Sequence, residues 1–161
     1  MIFVSHALPV NGPGLTPLTR AQVWAGLVMK ANNALPFVPS MSDCVVTARY
    51  GEDTFDRDIV LRGQAHTERI NLQEPRRVVF TRIAGPVLGT IANEIEGADD
   101  ELQLRFSFAL VVSDVEPGTA AETDYTDGMT RDYLAAVEAT LDAMRRSAED
   151  NLLSTDTTIL S

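Results

Sequence analysis

Four polar side chains interrupt otherwise apolar strand faces in the middle of the chain, and their types could bind or transform a small molecule. They are Arg57, His66, Glu68 and Asn93. Arginine and asparagine can donate hydrogen bonds to carbonyl and hydroxyl oxygens, and a desolvated glutamate has a raised pKa and can give or take a proton. An ionised side chain in a dry core costs on the order of several kcal/mol unless it is paired. We therefore expect Arg57 and Glu68 to meet each other, water or a ligand inside a polar pocket.

The inward direction of these residues follows from the alternation of side chains along a strand. The clearest strand candidate is 102–112, in which one face carries Leu102, Leu104, Phe106, Phe108, Leu110 and Val112. The same test on three other candidates groups Phe55, Arg57, Ile59 and Leu61, then His66, Glu68, Ile70 and Leu72, then Val87, Gly89, Ile91, Asn93 and Ile95. Arg57, Glu68 and Asn93 thus share the apolar faces, with the helix-facing Phe55, Ile59, Ile91, Phe106 and Phe108 as candidate apolar walls of the pocket.

Two structural alternatives stand beside the pocket. Inward polar residues are also found as satisfied structural pairs or beyond the edge of a core, and a β-bulge would reverse the direction of every later side chain in its strand. His66 is expected to be a surface or hydrogen-bonded histidine rather than a catalytic base. Cys44 has no basic neighbour in sequence that would mark a reactive thiolate, so a structural role is expected.

A long helix, from Asp124 to about residue 151, is the element that must cover the pocket. One helical stripe recurs along it, formed by Tyr125, Met129, Tyr133, Val137, Leu141, Met144, Ala148 and Leu152. We expect the first half of the stripe, Tyr125, Met129 and Tyr133 above all, to contact a ligand. The half from Leu141 onward is expected to be plain packing.

The rest of the chain indicates one antiparallel sheet. A first strand, 2–10, is followed by a helix capped by Thr16 or Thr19 that carries Trp24 into the core and ends near Ala31. Six strand candidates follow at 44–50, 54–61, 64–72, 77–83, 87–96 and 102–112. Their short connections predict a meander, and 115–122 is predicted to be a loop, with a fraying tail at 154–161. The fold class is therefore α+β, with a curved seven-stranded antiparallel sheet wrapped around the long helix.

Composition excludes several classes of function. The 161 residues predict a single domain over 1–161, and a formal charge of −10 opposes binding to nucleic acid or an anionic membrane. One cysteine and two distant histidines, His6 and His66, do not assemble a metal site, and no cofactor is expected. The opening MIFVSHALPV is unlike a signal peptide and no stretch is apolar enough for a membrane span, so a cytoplasmic protein is expected. Phosphate-loop, dinucleotide, zinc-protease and serine-hydrolase motifs are absent from the sequence.

Three stretches, RDIVLRG (57–63), ERINLQEPRRVVF (68–80) and GTIANEIE (89–96), together with the order of elements, resemble the START-like, Bet v 1-like (SRPBCC) superfamily and its AtaL-like branch. The resemblance covers nearly the whole chain. It implies a helix-grip fold with a deep apolar cavity between sheet and helix, and binding of a lipid, sterol, polyketide or similar hydrophobic metabolite. Some relatives in this superfamily act as cyclases or aromatases, but the family supplies no catalytic set and assigns no roles to the matching positions Arg57, Glu68 and Asn93.

Three functions remain open on this sequence. The first is binding of a small hydrophobic ligand in an internal cavity, in which Arg57 and Asn93 hold ligand oxygens. The second is an enzyme of the polyketide cyclase or aromatase kind that uses Arg57, Glu68 or His66 for enolisation or dehydration. The third is a module that binds a protein partner, like the co-chaperones of the superfamily, through its acidic surface. The ligand, the cavity volume and the oligomeric state do not follow from the sequence.

Overall fold

The computed structural model describes residues 1–113 and 115–150, which form seven strands and two helices. In chain order these are β1 (Ile2–Pro9), α1 (Arg20–Asn32), β2 (Met41–Arg49), β3 (Thr54–Leu61), β4 (Gln64–Gln73), β5 (Arg77–Ala84), β6 (Val87–Glu96), β7 (Gln103–Val112) and α2 (Ala120–Glu149). The predicted α+β class and element order are confirmed. β2 begins three residues earlier than predicted, at Met41.

One antiparallel sheet contains all seven strands in the order β1-β7-β6-β5-β4-β3-β2. The six strands from β2 to β7 form the predicted meander, and β1 pairs with β7 at one edge of the sheet. Register shifts interrupt the β2–β3 and β4–β5 pairings, and such bulges bend and twist a sheet. Gly89 in β6 has a φ of +131°, and a Cβ built there would lie 2.1 Å from the carbonyl oxygen of Ala109. Only glycine fits this close approach of β6 to β7.

Side-chain hydroxyls cap the beginning of both helices. Thr19 accepts a hydrogen bond from the backbone N–H of Gln22 and completes a capping box, so the later of the two predicted caps is the one used. Thr119 accepts in the same way from the N–H of Glu122. The prediction that α2 starts at Asp124 is therefore wrong by four residues, because the apolar stripe used to find the helix begins only at Tyr125, whereas the cap, Thr119, lies before it. The predicted end of this helix, Leu152 and the tail at 154–161 lie outside the described residues.

The core lies on the concave face of the sheet, under the two helices. The alternation predicted for β7 is confirmed, since Leu104, Phe106, Phe108 and Leu110 are all buried. On α2 the second half of the stripe is buried at Val137, Leu141 and Met144.

The two helices pack against each other at Gly26 of α1, where an added Cβ would lie 2.7 Å from Cγ of Met144. Trp24 belongs to the core, as predicted. The first half of α2, in contrast, is only half-buried at Tyr125, Met129 and Tyr133, and it faces a space that the core does not fill. Among the described residues, neither helix has the length and apolar character that a membrane crossing requires.

Candidate functional site

A cavity of about 160 Å³ separates the sheet from the first half of α2. Most of its wall is apolar. The apolar residues come from β2, β3, β5, β6, α2 and the loop before β2, namely Val38, Met41, Ile59, Leu61, Phe80, Val87, Ile91, Met129, Ala136 and Val137. The inner polar part of the wall consists of Lys30, Arg57, His66, Glu68, Arg82, Asn93, Tyr125 and Tyr133, and the remaining polar lining residues are Ser40, Arg62, Gln64 and Asp132. The space is therefore apolar over most of its surface, and its inner polar groups are supplied by four strands and both helices.

Arg57 and Glu68 form a buried ion pair with each other, which is one of the three arrangements expected from the sequence. They face each other in the β3–β4 register, and Nε and Nη2 of Arg57 donate to Oε1 of Glu68 over 3.0 and 2.9 Å. Nη1 of Arg57 donates over 2.9 Å to the carbonyl oxygens of both Lys30 and Ala31, in the last turn of α1. The C-terminal carbonyls of a helix carry partial negative charge, so Arg57 is compensated from two sides. Arg57 therefore connects the sheet to α1 and also lines the cavity.

Arg82 on β5 shares the same carboxylate. Its Nε lies 3.4 Å from Oε2 of Glu68, and the β4–β5 register places the two residues opposite each other, just after a bulge at Ile83. Arg82 is 5% exposed. Sequence reasoning did not single out this residue, although the alternation of Val78, Phe80 and Arg82 along the fifth strand carries the same signal as Arg57 does on the third.

Lys30, the single lysine of the chain, is the second cation that sequence reasoning missed. Its side chain reaches from α1 to β6, where Nζ donates to Oδ1 of Asn93 over 2.9 Å, and it lies 5.8 Å from the centre of the Phe80 ring. Burial first, and the positive charge of Arg57 second, lower the pKa of Lys30 from 10.5 to about 8, against the opposing attraction of Glu68. The helical spacing Val23, Leu27, Lys30 would have placed it on the buried side of α1.

His66 is buried, not at the surface, and its Nδ1 has no hydrogen-bond partner among the described residues. The expectation of a surface or hydrogen-bonded histidine is wrong because Gly85 packs directly on this ring. A Cβ on Gly85 would lie 2.6 Å from Nδ1, which leaves no room for a partner on that side. Burial, followed by the charge of Arg82, lowers the pKa of His66 from 6.5, so the imidazole is neutral at pH 7.

The Tyr133 hydroxyl is a second buried polar group without a hydrogen-bond partner among the described residues. Burial raises its pKa, and the nearby guanidinium of Arg82 opposes that rise without forming a hydrogen bond of good geometry. The hydroxyl is thus un-ionised at neutral pH and available as a donor or an acceptor toward the cavity.

The structure brings together eight of the eleven residues that were predicted from the sequence to contact a ligand. Those on the cavity wall are Arg57, Ile59, Glu68, Ile91, Asn93, Tyr125, Met129 and Tyr133. Phe106 and Phe108 stand behind the Tyr133 ring, at 6.3 and 4.6 Å between ring centres, and Phe55 is buried in the core beneath Arg49. These three phenylalanines lie outside the wall, so we expect no direct ligand contact from them. A ligand-binding role for the other eight stays a prediction.

The cavity opens toward solvent where the β3–β4 turn approaches α2. Arg62 in that turn pairs with Asp132 on α2 over 2.9 Å, and both side chains are exposed. The backbone N–H of Arg62 also donates to the carbonyl oxygen of Ser40 over 3.0 Å. An exposed pair of this kind contributes about 0–1 kcal/mol, so it closes the mouth only weakly.

A seven-stranded antiparallel sheet that grips a long C-terminal helix around an internal cavity defines the helix-grip class, the START-like and Bet v 1-like superfamily. Within that class, the chain belongs to the family described as Acetylaranotin biosynthesis cluster protein L, whose model matches residues 4–151. The resemblance inferred from the sequence is confirmed.

Solved structures with the same fold share little sequence with the chain. The Zhui aromatase/cyclase from a Streptomyces species is 17% identical, with a TM-score of 0.63 over 91% of this chain and 93% of that one. The di-domain aromatase/cyclase StfQ of the steffimycin biosynthetic pathway is 14% identical, with a TM-score of 0.65 over 93% of this chain and 52% of that one. A START superfamily protein from Mycobacterium smegmatis is 17% identical, with a TM-score of 0.57 over 88% of this chain and 98% of that one. No match was found among curated proteins.

Proposed function

We propose that this protein binds a small hydrophobic molecule in the cavity between its sheet and the first half of α2. The observation that carries the proposal is the cavity itself, about 160 Å³ with a mostly apolar wall and an opening to solvent. Cavities of this kind, lined by apolar groups with a few convergent polar ones, are the usual form of a small-molecule site. The aromatase/cyclase and START proteins that share the fold support the same general reading.

The volume bounds the ligand. An apolar cavity of roughly 150 Å³ accommodates a benzene-sized molecule, so this cavity of about 160 Å³ holds one ring or a short chain in the state described. A sterol or a long polyketide would have to extend through the mouth or widen it. The weak Arg62–Asp132 pair is the contact that such a ligand would displace first.

Filling the cavity from α2 tests the proposal. Ala136 lines the cavity, whereas its neighbour Ala135 is exposed. We expect thermal shift and isothermal titration to show binding of single-ring apolar compounds such as toluene to the wild type and to Ala135→Phe, and loss of binding in Ala136→Phe. Equal binding to both variants would place the ligand elsewhere, and no binding by any compound of a single-ring and multi-ring panel would reject the proposal.

A second candidate function is an enzyme of the cyclase or aromatase kind, and the neutral imidazole of His66 on the cavity wall favours it. A neutral imidazole that faces a cavity can remove a proton from the carbon next to a carbonyl group. The N–H groups of Arg82 and Lys30 on the same wall could then stabilise the enolate oxygen. Of the three residues considered from the sequence, Arg57, Glu68 and His66, this assignment selects His66 as the base, because Arg57 and Glu68 bind each other.

Exchange of a carbon-bound proton is the simplest reaction that requires this chemistry. We expect the wild type to accelerate deuterium exchange at the methyl group of acetophenone, followed by NMR, and His66→Gln to abolish the acceleration while retaining the melting temperature. Exchange at the uncatalysed rate in the presence of wild type, with acetophenone shown to bind, would leave binding as the function.

A further inference from the structure

The cavity wall carries more positive than negative charge, although the protein as a whole is acidic. Among the described residues, three buried cationic side chains, Lys30, Arg57 and Arg82, face it together with one buried carboxylate, Glu68, and the exposed Arg62–Asp132 pair at the mouth adds no net charge. The chain as a whole has a formal charge of −10. Uncompensated cations inside a protein cost on the order of several kcal/mol, so two excess charges at this depth call for a counter-charge.

The donors of two of these cations are largely uncommitted. Arg57 uses Nε and both terminal nitrogens on Glu68 and on carbonyls of α1. Arg82, in contrast, makes one hydrogen bond within the described residues, the long one from Nε to Glu68, so its two terminal NH2 groups remain as a planar fork. Lys30 donates once, to Asn93, out of three N–H groups. The Tyr133 hydroxyl beside Arg82 is buried and unpartnered as well.

We propose that the ligand of this cavity is a hydrophobic anion, a monocarboxylate with a body of about one ring, whose carboxylate is held by the Arg82 fork, the Lys30 ammonium and the Tyr133 hydroxyl. A guanidinium fork matches the two oxygens of a carboxylate, and charge-assisted hydrogen bonds are the strongest of their kind. The apolar wall of Ile59, Ile91 and Met129 then covers the ring. This inference rests on the proposed function and specifies the chemistry of the ligand.

Four single-ring probes separate charge from shape: benzoate, benzamide, benzylammonium and toluene. Isothermal titration is expected to give benzoate an affinity at least roughly tenfold higher than that of benzamide, and no binding of benzylammonium. Because the chain has one lysine, protein labelled with ¹³C at lysine gives one side-chain signal whose titration reports Lys30 directly. Bound benzoate should raise the pKa of Lys30 above its value in the free protein, whereas benzamide or toluene should leave it unchanged or lower it.

Arg82→Met tests the fork, and Arg76→Met is its control. Arg76 also loses one positive charge on substitution, but it is exposed and lies outside the cavity wall. Arg82→Met is expected to lower the benzoate affinity by roughly tenfold with little change for toluene, and Arg76→Met to change neither. Should Arg82→Met fail to fold, the selectivity of the wild type and the Lys30 titration still decide the question.

The results that overturn the inference differ from those that overturn the proposed function. Equal affinity for benzamide and benzoate, tighter binding of benzylammonium, or binding of toluene alone would reject the anion and leave a hydrophobic-ligand protein. Absence of binding by all four probes and by larger apolar compounds would reject both.

Discussion

Lys30 gives the structure its most quantitative prediction, because one buried lysine must change the pH dependence of stability. The pKa of Lys30 falls from 10.5 to about 8 on folding, chiefly through burial. Each pKa unit corresponds to about 1.4 kcal/mol, so keeping Lys30 charged in the folded state costs about 3 kcal/mol relative to the unfolded chain.

The sign of the effect follows from proton binding. Between pH 8 and 10.5 the folded protein has released the Lys30 proton while the unfolded chain still holds it. The unfolded state therefore binds more protons, and stability rises with pH across this window. Below about pH 7 both states are protonated, so this group contributes no slope there.

The assay is the free energy of unfolding in urea for wild type and Lys30→Met at pH 7, 8, 9 and 10. Contributions of all other groups cancel in the difference between the two proteins, so the wild type should gain about 2.5 kcal/mol of unfolding free energy on the variant between pH 7 and 10. A matched control places an ordinary lysine at an exposed position, Arg146→Lys in the Lys30→Met background. The difference in unfolding free energy between this double variant and Lys30→Met should not change with pH.

A flat difference between wild type and Lys30→Met would refute the reasoning, because it would mean that Lys30 keeps an ordinary pKa in the folded state. A falling difference would mean that the folded state favours the charged amine. A flat difference would also place Lys30 in contact with water rather than in the buried position that the structure gives it.

Three further substitutions test the cavity wall and the sheet behind it. Glu68→Gln leaves two buried guanidinium groups without a carboxylate and should lower the unfolding free energy by about 3–5 kcal/mol. The control Glu94→Gln, whose partner Arg76 is exposed, should lower it by only about 0–1 kcal/mol. Similar losses for the two variants would contradict the buried cluster. Tyr133→Phe removes a buried hydroxyl that has no partner and should be neutral or stabilise by up to about 1 kcal/mol in urea denaturation, whereas a loss of more than about 1 kcal/mol would reveal a hydrogen bond. Gly89→Ala places a Cβ 2.1 Å from a carbonyl oxygen at a φ of +131° and should lower the unfolding free energy by at least about 3 kcal/mol, a prediction that a melting temperature equal to wild type would exclude.

Strand alternation was enough to predict the inward direction of Arg57, Glu68 and Asn93. Each lies on a strand whose other inward residues are large and apolar, and burial of those neighbours leaves the polar residue no alternative direction. The bulge in the β4–β5 pairing did not reverse the face of β4, because its extra residue, Ile83, belongs to β5. The order of the strands could also be predicted, because short connections join strands that are neighbours in the sheet.

Lys30 and His66 mark the limit of that method. A helix buries a stripe rather than every second residue, and whether a lysine at the edge of the stripe folds inward depends on the acceptor that it finds, here Asn93 on a strand 63 residues away. His66 is buried because Gly85, in the turn between β5 and β6, packs on its ring. Both outcomes depend on long-range contacts that one segment of sequence does not encode. Phe55, Phe106 and Phe108 show a second limit. Alternation correctly predicts that they point inward, but it does not show that other side chains lie between them and the cavity.

The two halves of α2 cover different kinds of interior, since the second half packs on an apolar core and the first half covers the buried charges. Met144 and Leu141, in the second half of α2, are buried against α1 and the sheet, and Gly26 allows the close contact between the helices. The charged cluster lies under the first half of α2, where the helix is half-buried. Replacing a buried ionic cluster with apolar residues of similar volume is often neutral or stabilising, so packing alone would favour a filled interior there. Because Lys30 carries a cost of about 3 kcal/mol at neutral pH, its burial agrees with the proposed ligand site better than with a purely structural role, whereas Arg57 also joins the sheet to the last turn of α1.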